Sequence, residues 1–167
     1  IKSIDSGAFN NCENLNHFSL PGSLESLGSQ VFNGTAYYQD NSIWTNDTLK
    51  IDGWLIQVGN LSGFGYTIDD DVIGIASMAF FSCAAGDVSS ITLPKGLKYI
   101  APEALSGLYN VKDIYYPDTE AAFNANVIYD KDDYVIANAK IHFTNYIHTV
   151  EINNATLSFN VGDKPEF

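Results

Sequence analysis

The sequence predicts an α/β to mostly β fold. We expect a solenoid of about five stacked coils, with short parallel strands, short helical turns and one β-hairpin insert. Three observations carry that expectation. An apolar frame ending in Phe recurs along the chain. A short alternating stretch closed by Pro follows most copies of the frame. Between two copies, an Asp-Gly pair separates runs of alternating apolar residues.

Length and composition set the bounds. At 167 residues the chain is one domain, or one plus a fragment. Hydrophobic residues make up 46%, ordinary for a globular chain. No apolar run approaches the ~18 residues of a membrane span, and no basic-then-apolar leader opens the chain. Eight basic against twenty acidic residues give a net charge of −12 and a pI near 4.3. That charge repels phosphate backbones and anionic lipid, so neither nucleic-acid binding nor membrane insertion is expected. Two cysteines are too few for a disulfide scaffold.

The repeat is the strongest signal. Ile4-Asp5-Ser6-Gly7-Ala8-Phe9 and Leu27-Gly28-Ser29-Gln30-Val31-Phe32 share one frame, 23 residues apart. The frame returns at Ile75 to Phe80 and at Ile100 to Leu105, where Leu replaces the Phe. Upstream, the spacings of Leu20, Leu24 and Leu27 recur in Ile68, Val72 and Ile75, and again in Leu93, Leu97 and Ile100. Ile1 and Ile4 fit the last two of these positions, which places residue 1 inside a repeat and implies a longer parent protein. Downstream, Leu15-x-x-Phe18-x-Leu20-Pro21 matches Val88-x-x-Ile91-x-Leu93-Pro94 and Val111-x-x-Ile114-x-Tyr116-Pro117. Period-2 alternation closed by Pro reads as a short strand, because Pro lacks the N–H that would extend the ladder. One such unit cannot bury its own apolar side, but stacked units line like residues into columns.

These residues resemble leucine-rich repeats of the BspA type. The shared features are L-x-x-φ-x-φ-P followed by φ-x-x-φ-x-x-x-A-F, with Cys12 and Cys83 three residues past the Phe. Gly34-Thr35-Ala36-Tyr37-Tyr38, and the closing stretch from Asp113-Ile114-Tyr115-Tyr116 to Asn138-Ala139-Lys140-Ile141-His142-Phe143, also look like the family. The resemblance covers about residues 1–144. It implies a right-handed leucine-rich-repeat solenoid from a bacterial surface or secreted protein, non-catalytic and used for protein interaction or adhesion.

Two stretches interrupt the repeat. Leu49-Lys50-Ile51-Asp52-Gly53-Trp54-Leu55-Ile56-Gln57-Val58 predicts a hairpin whose Asp-Gly turn takes positive φ at both central residues. A two-residue loop would pair Ile51 with Trp54 and Leu49 with Ile56. Leu49, Ile51, Trp54, Ile56 and Val58 would then share one face and cover the solenoid as a flap. Further on, Asp118 is placed to cap a short helix over Thr119 to Phe123, with Tyr129, Tyr134, Val135 and Ile136 as apolar cover. We expect domains of 1–144, the solenoid, and 145–167, a β-rich tail. In the tail Val150 and Ile152, then Leu157, Phe159 and Val161, alternate around Asn153-Asn154, before a turn at Gly162 to Pro165. It resembles the start of an immunoglobulin-like module; pairing back onto the solenoid edge is the alternative.

Few residues suggest chemistry. Cys12 and Cys83 lie two coils apart, roughly 9–10 Å at one strand spacing per coil, beyond the ~7 Å Cα reach of a disulfide. Both are expected free and buried. His17, His142 and His148 lack metal-ligand spacing, and no nucleophile, phosphate or zinc motif is present, so no metal, cofactor or enzymatic activity is expected. Gly63-Phe64-Gly65 reads as a turn before a strand. Asp69-Asp70-Asp71 and Asp130-Lys131-Asp132-Asp133 do not fit a calcium loop and read as solvated turn charge. Sequons at Asn33, Asn46, Asn60 and Asn154 read as chance in an Asn-rich chain.

The strand motif turns alternate residues outward onto one shared face. Across the expected five strands this ligand-binding face comprises His17 and Ser19, then Thr67, then Ser90 and Thr92, then Asp113 and Tyr115, then Lys140 and His142. Five strands span about 20 Å, so the face falls short of the ~800 Å² per partner of a stable interface. The expected partner is a protein, host-derived proteins included. The alternatives are a structural spacer and a glycan stacked on Tyr37, Tyr38, Trp44 or Tyr115. Burial of Trp44 and Trp54 would weaken the glycan reading.

Overall fold

The computed structural model describes residues 1–83, 86–143, 147–152 and 155–160. In chain order the first elements are β1 (Ser3–Ile4), β2 (Ser26–Leu27), α1 (Ala36–Gln39), β3 (Trp44–Thr45), β4 (Thr48–Ile51) and β5 (Trp54–Val58). Next come β6 (Gly65–Thr67), β7 (Gly74–Ile75), β8 (Ser90–Thr92), β9 (Tyr99–Ile100) and β10 (Asp113–Tyr116). The chain continues through α2 (Glu120–Asn126), α3 (Tyr134–Asn138), β11 (Lys140–Phe143), β12 (Ile147–Ile152) and β13 (Ala155–Asn160).

The repeat alignment reappears as hydrogen-bonded register. One parallel sheet runs β11-β10-β8-β6 and places Ile91 beside Ile114 and Ile114 beside Ile141. A second set of parallel pairs joins β1 to β2, β5 to β7 and β7 to β9, setting Ile4 beside Leu27 and Ile75 beside Ile100. Alternation does the sorting: Ile91 and Ile114 are buried while Ser90, Thr92, Asp113 and Tyr115 retain exposure.

The segments before each Phe are turns rather than the expected helical turns. The cause is local. Gly7, Gln30, Met78 and Glu103 stand two residues before Phe9, Phe32, Phe80 and Leu105, and all four have φ between 53° and 69°. A left-handed residue ends a right-handed helix before it can propagate. Among the described residues helix is confined to the three short α-helices and a 3-10 turn at Asn41–Ile43.

The aromatic column is real but graded. Phe32 and Phe80 are buried, whereas Phe9, on the outermost unit, is 39% exposed and lies flat against Phe32 with centroids 6.0 Å apart. Position on the stack, not residue type, sets the burial.

The insert is not a flap. The Asp52-Gly53 turn has φ of 47° and 80° and pairs Ile51 with Trp54, as expected. A bulge at Leu49/Lys50 then shifts the register, so Leu49 pairs with Gln57 rather than Ile56. More decisively, β5 pairs in parallel with β7 on its other edge, so it is an internal strand with both faces buried. Trp54 packs with Leu24, Leu27 and Phe32, whereas Leu55 and Val58 pack with Ile75 and Phe80. The hairpin divides the apolar interior into two clusters.

Other expectations are corrected. Residues 15–20 form no strand, so the first sheet has four strands and His17 and Ser19 stand outside it. Here Phe18 stacks on Phe32 at 4.4 Å, and the Leu20 N–H donates to the Asp52 carboxylate at 2.7 Å. The insert's turn thus engages the segment that would otherwise extend the ladder. Thr119, not Asp118, caps α2: its hydroxyl accepts from the Ala122 N–H, while Asp118 accepts from the Thr119 N–H. Tyr134 is 65% exposed and covers nothing, whereas Val135 and Ile136 are buried. Cys12 is exposed and Cys83 half-buried, because the units carrying them do not cover that position fully; neither forms a disulfide. The tail strands β12 and β13 pair antiparallel, Ile147 with Asn160 and Ile152 with Ala155. Val161, the Gly162–Pro165 turn and the His148 side chain lie outside what the structure describes.

Candidate binding surface

The four-stranded sheet gathers seven of the nine residues expected on the face. Ser90 and Thr92 stand on β8, Asp113 and Tyr115 on β10, and Lys140 and His142 on β11, with Thr67 on the edge strand β6. Register makes neighbours of them: Asp113 lies beside Lys140, and Tyr115 beside His142. His17 and Ser19 are exposed but not part of this ladder.

One end of the face has specific geometry. The Tyr115 and His142 rings stack with centroids 4.8 Å apart and an interplanar angle of 18°. Nε2 of His142 lies 2.6 Å from Oδ1 of Asp113. An ionised carboxylate can only accept, so Nε2 carries the proton and donates. This bond fixes the imidazole beneath the phenol ring and leaves Tyr115, 36% exposed, as an aromatic step. The rest of the face is small and polar.

The acidic turns are occupied by local bonds. The Lys50 ammonium bridges Asp69 and Asp71, each at 2.7 Å. Burial alone would lower its pKa, but the hydrogen bonds and charges of Asp69 and Asp71 outweigh that and raise it above the ordinary value. Asp133 accepts from the Val135 and Ile136 N–H groups at the start of α3, and Asp130 accepts from the Asp132 N–H. Among the described residues no group of three or more His, Cys, Asp or Glu side chains is placed to hold a metal.

Of the expected glycan platforms, Tyr38 and Trp44 engage each other, and Trp54, whose burial would weaken that reading, is buried. Trp54 is buried against Gly74 and stacks on Tyr99 at 5.9 Å. Trp44 is half-buried, meets Tyr38 edge-on, and donates its indole N–H to the Tyr38 carbonyl. Tyr38 in turn donates its hydroxyl to Gln57. No coplanar set forms from them.

Among the described residues no helix is long and apolar enough to cross a membrane. No curated protein and no solved structure matches the chain. A family model for the BspA type leucine-rich repeat region matches in six copies, over residues 1–60 and 58–158. With its repeat frame, its parallel register and this match over nearly the whole length, the chain belongs to the BspA-type leucine-rich repeat family.

Proposed function

We propose that the chain is a non-catalytic recognition module of a bacterial surface or secreted protein, its units stacked as a right-handed solenoid and its ladder face contacting a protein ligand. The family, typical of bacterial surface proteins, supports the setting. Parallel strands joined by a crossover are right-handed in nearly all cases, which supports the hand. The observation that carries the reading is the Tyr115–His142 stack braced by Asp113. Interface energy concentrates in a few rigid aromatic anchors, and this pair is held in place before any partner arrives.

The face is small. Four strands span only about 14 Å, so one copy binds weakly, and useful avidity comes from several copies acting together. Residues 145–167 then follow as a β-rich tail in which β12 and β13 pair with each other. A glycan stacked on Tyr38 and Trp44 is disfavoured by the engagement of those two side chains with each other and by the burial of Trp54.

The test compares binding of the chain to host-cell surface proteins with that of a Tyr115→Ala/His142→Ala double variant. Loss of at least ~10-fold in affinity is expected. Equal binding by both proteins would remove the ladder face from consideration.

A further inference from the structure

The units of the stack do not meet equally well on the side that carries the Phe residues. The Phe9 and Phe32 units are in close register there. N–H groups of Gly7, Phe9 and Asn11 donate to the carbonyls of Ser29, Val31 and Asn33 at 2.9, 3.0 and 2.8 Å. Among the described residues no peptide bond is cis. In a trans peptide the carbonyl and the following N–H point in opposite directions. Gln30, Phe32 and Gly34 therefore aim their N–H groups away from the Phe9 unit. Among the described residues none of these three meets an acceptor.

Opposite stands the Phe80 unit. The Met78 N–H donates to the Glu103 carbonyl, so the Ser77 carbonyl points back towards the Phe32 unit. The Ser77 N–H reaches the Leu27 carbonyl at 2.9 Å and closes one end of the gap, while Val58 of β5 takes the Ala79 carbonyl at 2.8 Å. Between them lies a cavity of about 100 Å³, lined among others by Gln30, Phe32, Gln57, Ser77, Met78 and Phe81, with no charged side chain in its wall. The gap exists because the hairpin supplies a strand beside β7 but only the Val58–Ala79 bond on the Phe side. A sequence feature agrees. Two residues past the Phe or Leu, Gly34 and Gly107 are glycine because a Cβ would strike Asn11 and the Phe80 carbonyl at 2.4 and 2.2 Å. The corresponding residue of the Phe80 unit, which faces the gap, is Ser82.

We propose that this seam binds a neutral saccharide through one terminal ring. The Gln30 and Phe32 N–H donors in the wall call for oxygen acceptors, and the Ser77 carbonyl calls for a donor; a sugar hydroxyl is both. Phe32 is buried and Gln30 exposed, so a partner gained by the Phe32 N–H counts for more than one gained by Gln30. No cation lines the cavity, and the net charge of −12 opposes an anionic ligand. Phe81, 59% exposed at the lining, offers an aromatic face to the C–H side of a ring. The cavity is well under the ~300 Å³ at which pockets for larger ligands begin, which limits the fit to a single ring. This site is separate from the ladder face and does not depend on it.

The test uses the ¹⁵N-labelled chain titrated with glucose, galactose, mannose and N-acetylglucosamine. At least one is expected to shift the Gln30 and Phe32 amide resonances saturably. Phe81→Ala and Gln57→Leu should each weaken that binding at least ~10-fold, with circular dichroism confirming that both fold, and Tyr115→Ala should leave it unchanged. Without sugar, those two amides should exchange with deuterium faster than Gly7, Phe9 and Asn11. The proposal fails if no sugar moves the two amides, if they are as protected as the amides of the Phe9 unit, or if sialic acid or an extended neutral peptide binds there more tightly than every neutral sugar.

Discussion

The Phe80 and Leu105 units sit tightly on each other, whereas the Phe32 and Phe80 units are held apart by the hairpin. On the tight side Gly107 lies against the Phe80 backbone and the Met78 N–H reaches Glu103. On the open side the backbone contact narrows to Ser77 on Leu27, and the buried ring of Trp54 joins the Leu24–Phe32 cluster. The same repeat thus yields a continuous interior in one place and a seam in another. The difference teaches that an insert need not lie outside a repeat array. By pairing on one ladder alone, β5 keeps the core closed where it runs and leaves backbone donors unpaired where it does not.

Removing the link at the seam gives the largest effect. Trp54→Ala deletes the side chain that packs between Gly74, Tyr99 and the Leu24–Phe32 cluster. It should destabilise the chain by about 3–5 kcal/mol, and denaturant melts followed by two probes should show the N-terminal units unfolding ahead of the rest. Melts that remain coincident would mean that the two clusters are one cooperative block despite the hairpin.

Two equivalent residues sharpen the contrast. Phe80→Ala, in the interior, should also lose about 3–5 kcal/mol, while Phe9→Ala, 39% exposed on the end unit, should lose about 1 kcal/mol. Similar losses in urea melts would show that rank in the stack does not set the burial energy.

Tight stacking itself is probed at Gly107. Its φ is 107°, and an added Cβ would lie 2.2 Å from the Phe80 carbonyl oxygen. Gly107→Ala should lose about 2 kcal/mol or more, whereas Ser82→Ala, at the corresponding position beside the gap, should change stability by under ~0.5 kcal/mol.

The smallest effect belongs to Lys50, which ties the hairpin to the β6–β7 turn through Asp69 and Asp71. It is an exposed network, so Lys50→Met should lose under ~1 kcal/mol. The folded-state pKa is raised. The contribution is therefore fully present below the unfolded value, about 10.4, and is lost as pH rises through the folded one. A pH titration of thermal stability should show the wild-type advantage over Lys50→Met vanish at alkaline pH; an advantage that persists there would assign it to packing of the lysine stem.

Much of this was legible in the residues. The 23-residue spacing of Phe9 and Phe32 and the Pro-closed motifs at Leu93-Pro94 and Tyr116-Pro117 translate directly into register, because a period-2 strand has only one way to keep Ile91, Ile114 and Ile141 inside. The ladder residues from Thr67 to His142 followed from the same alternation. The stack of Tyr115 on His142 did not, because cross-strand partners are named only once register is known. The loss of His17 and Ser19 from the sheet had no local sign either: Leu15 to Pro21 carries the full motif, and what holds its Leu20 N–H is Asp52, thirty-two residues away.

The sequence by itself determined the repeat, the phase of its buried positions and the Asp-Gly turn, since each depends on neighbours a few residues apart. Only the tertiary structure decided where the hairpin went. Its alternation gathers Leu49, Ile51, Trp54, Ile56 and Val58 on one face, so pattern alone pointed to a one-sided flap. The choice fell to the free edge of β7 and the bare surface of Gly74, which accept β5 and the Trp54 ring, and that choice opened the seam.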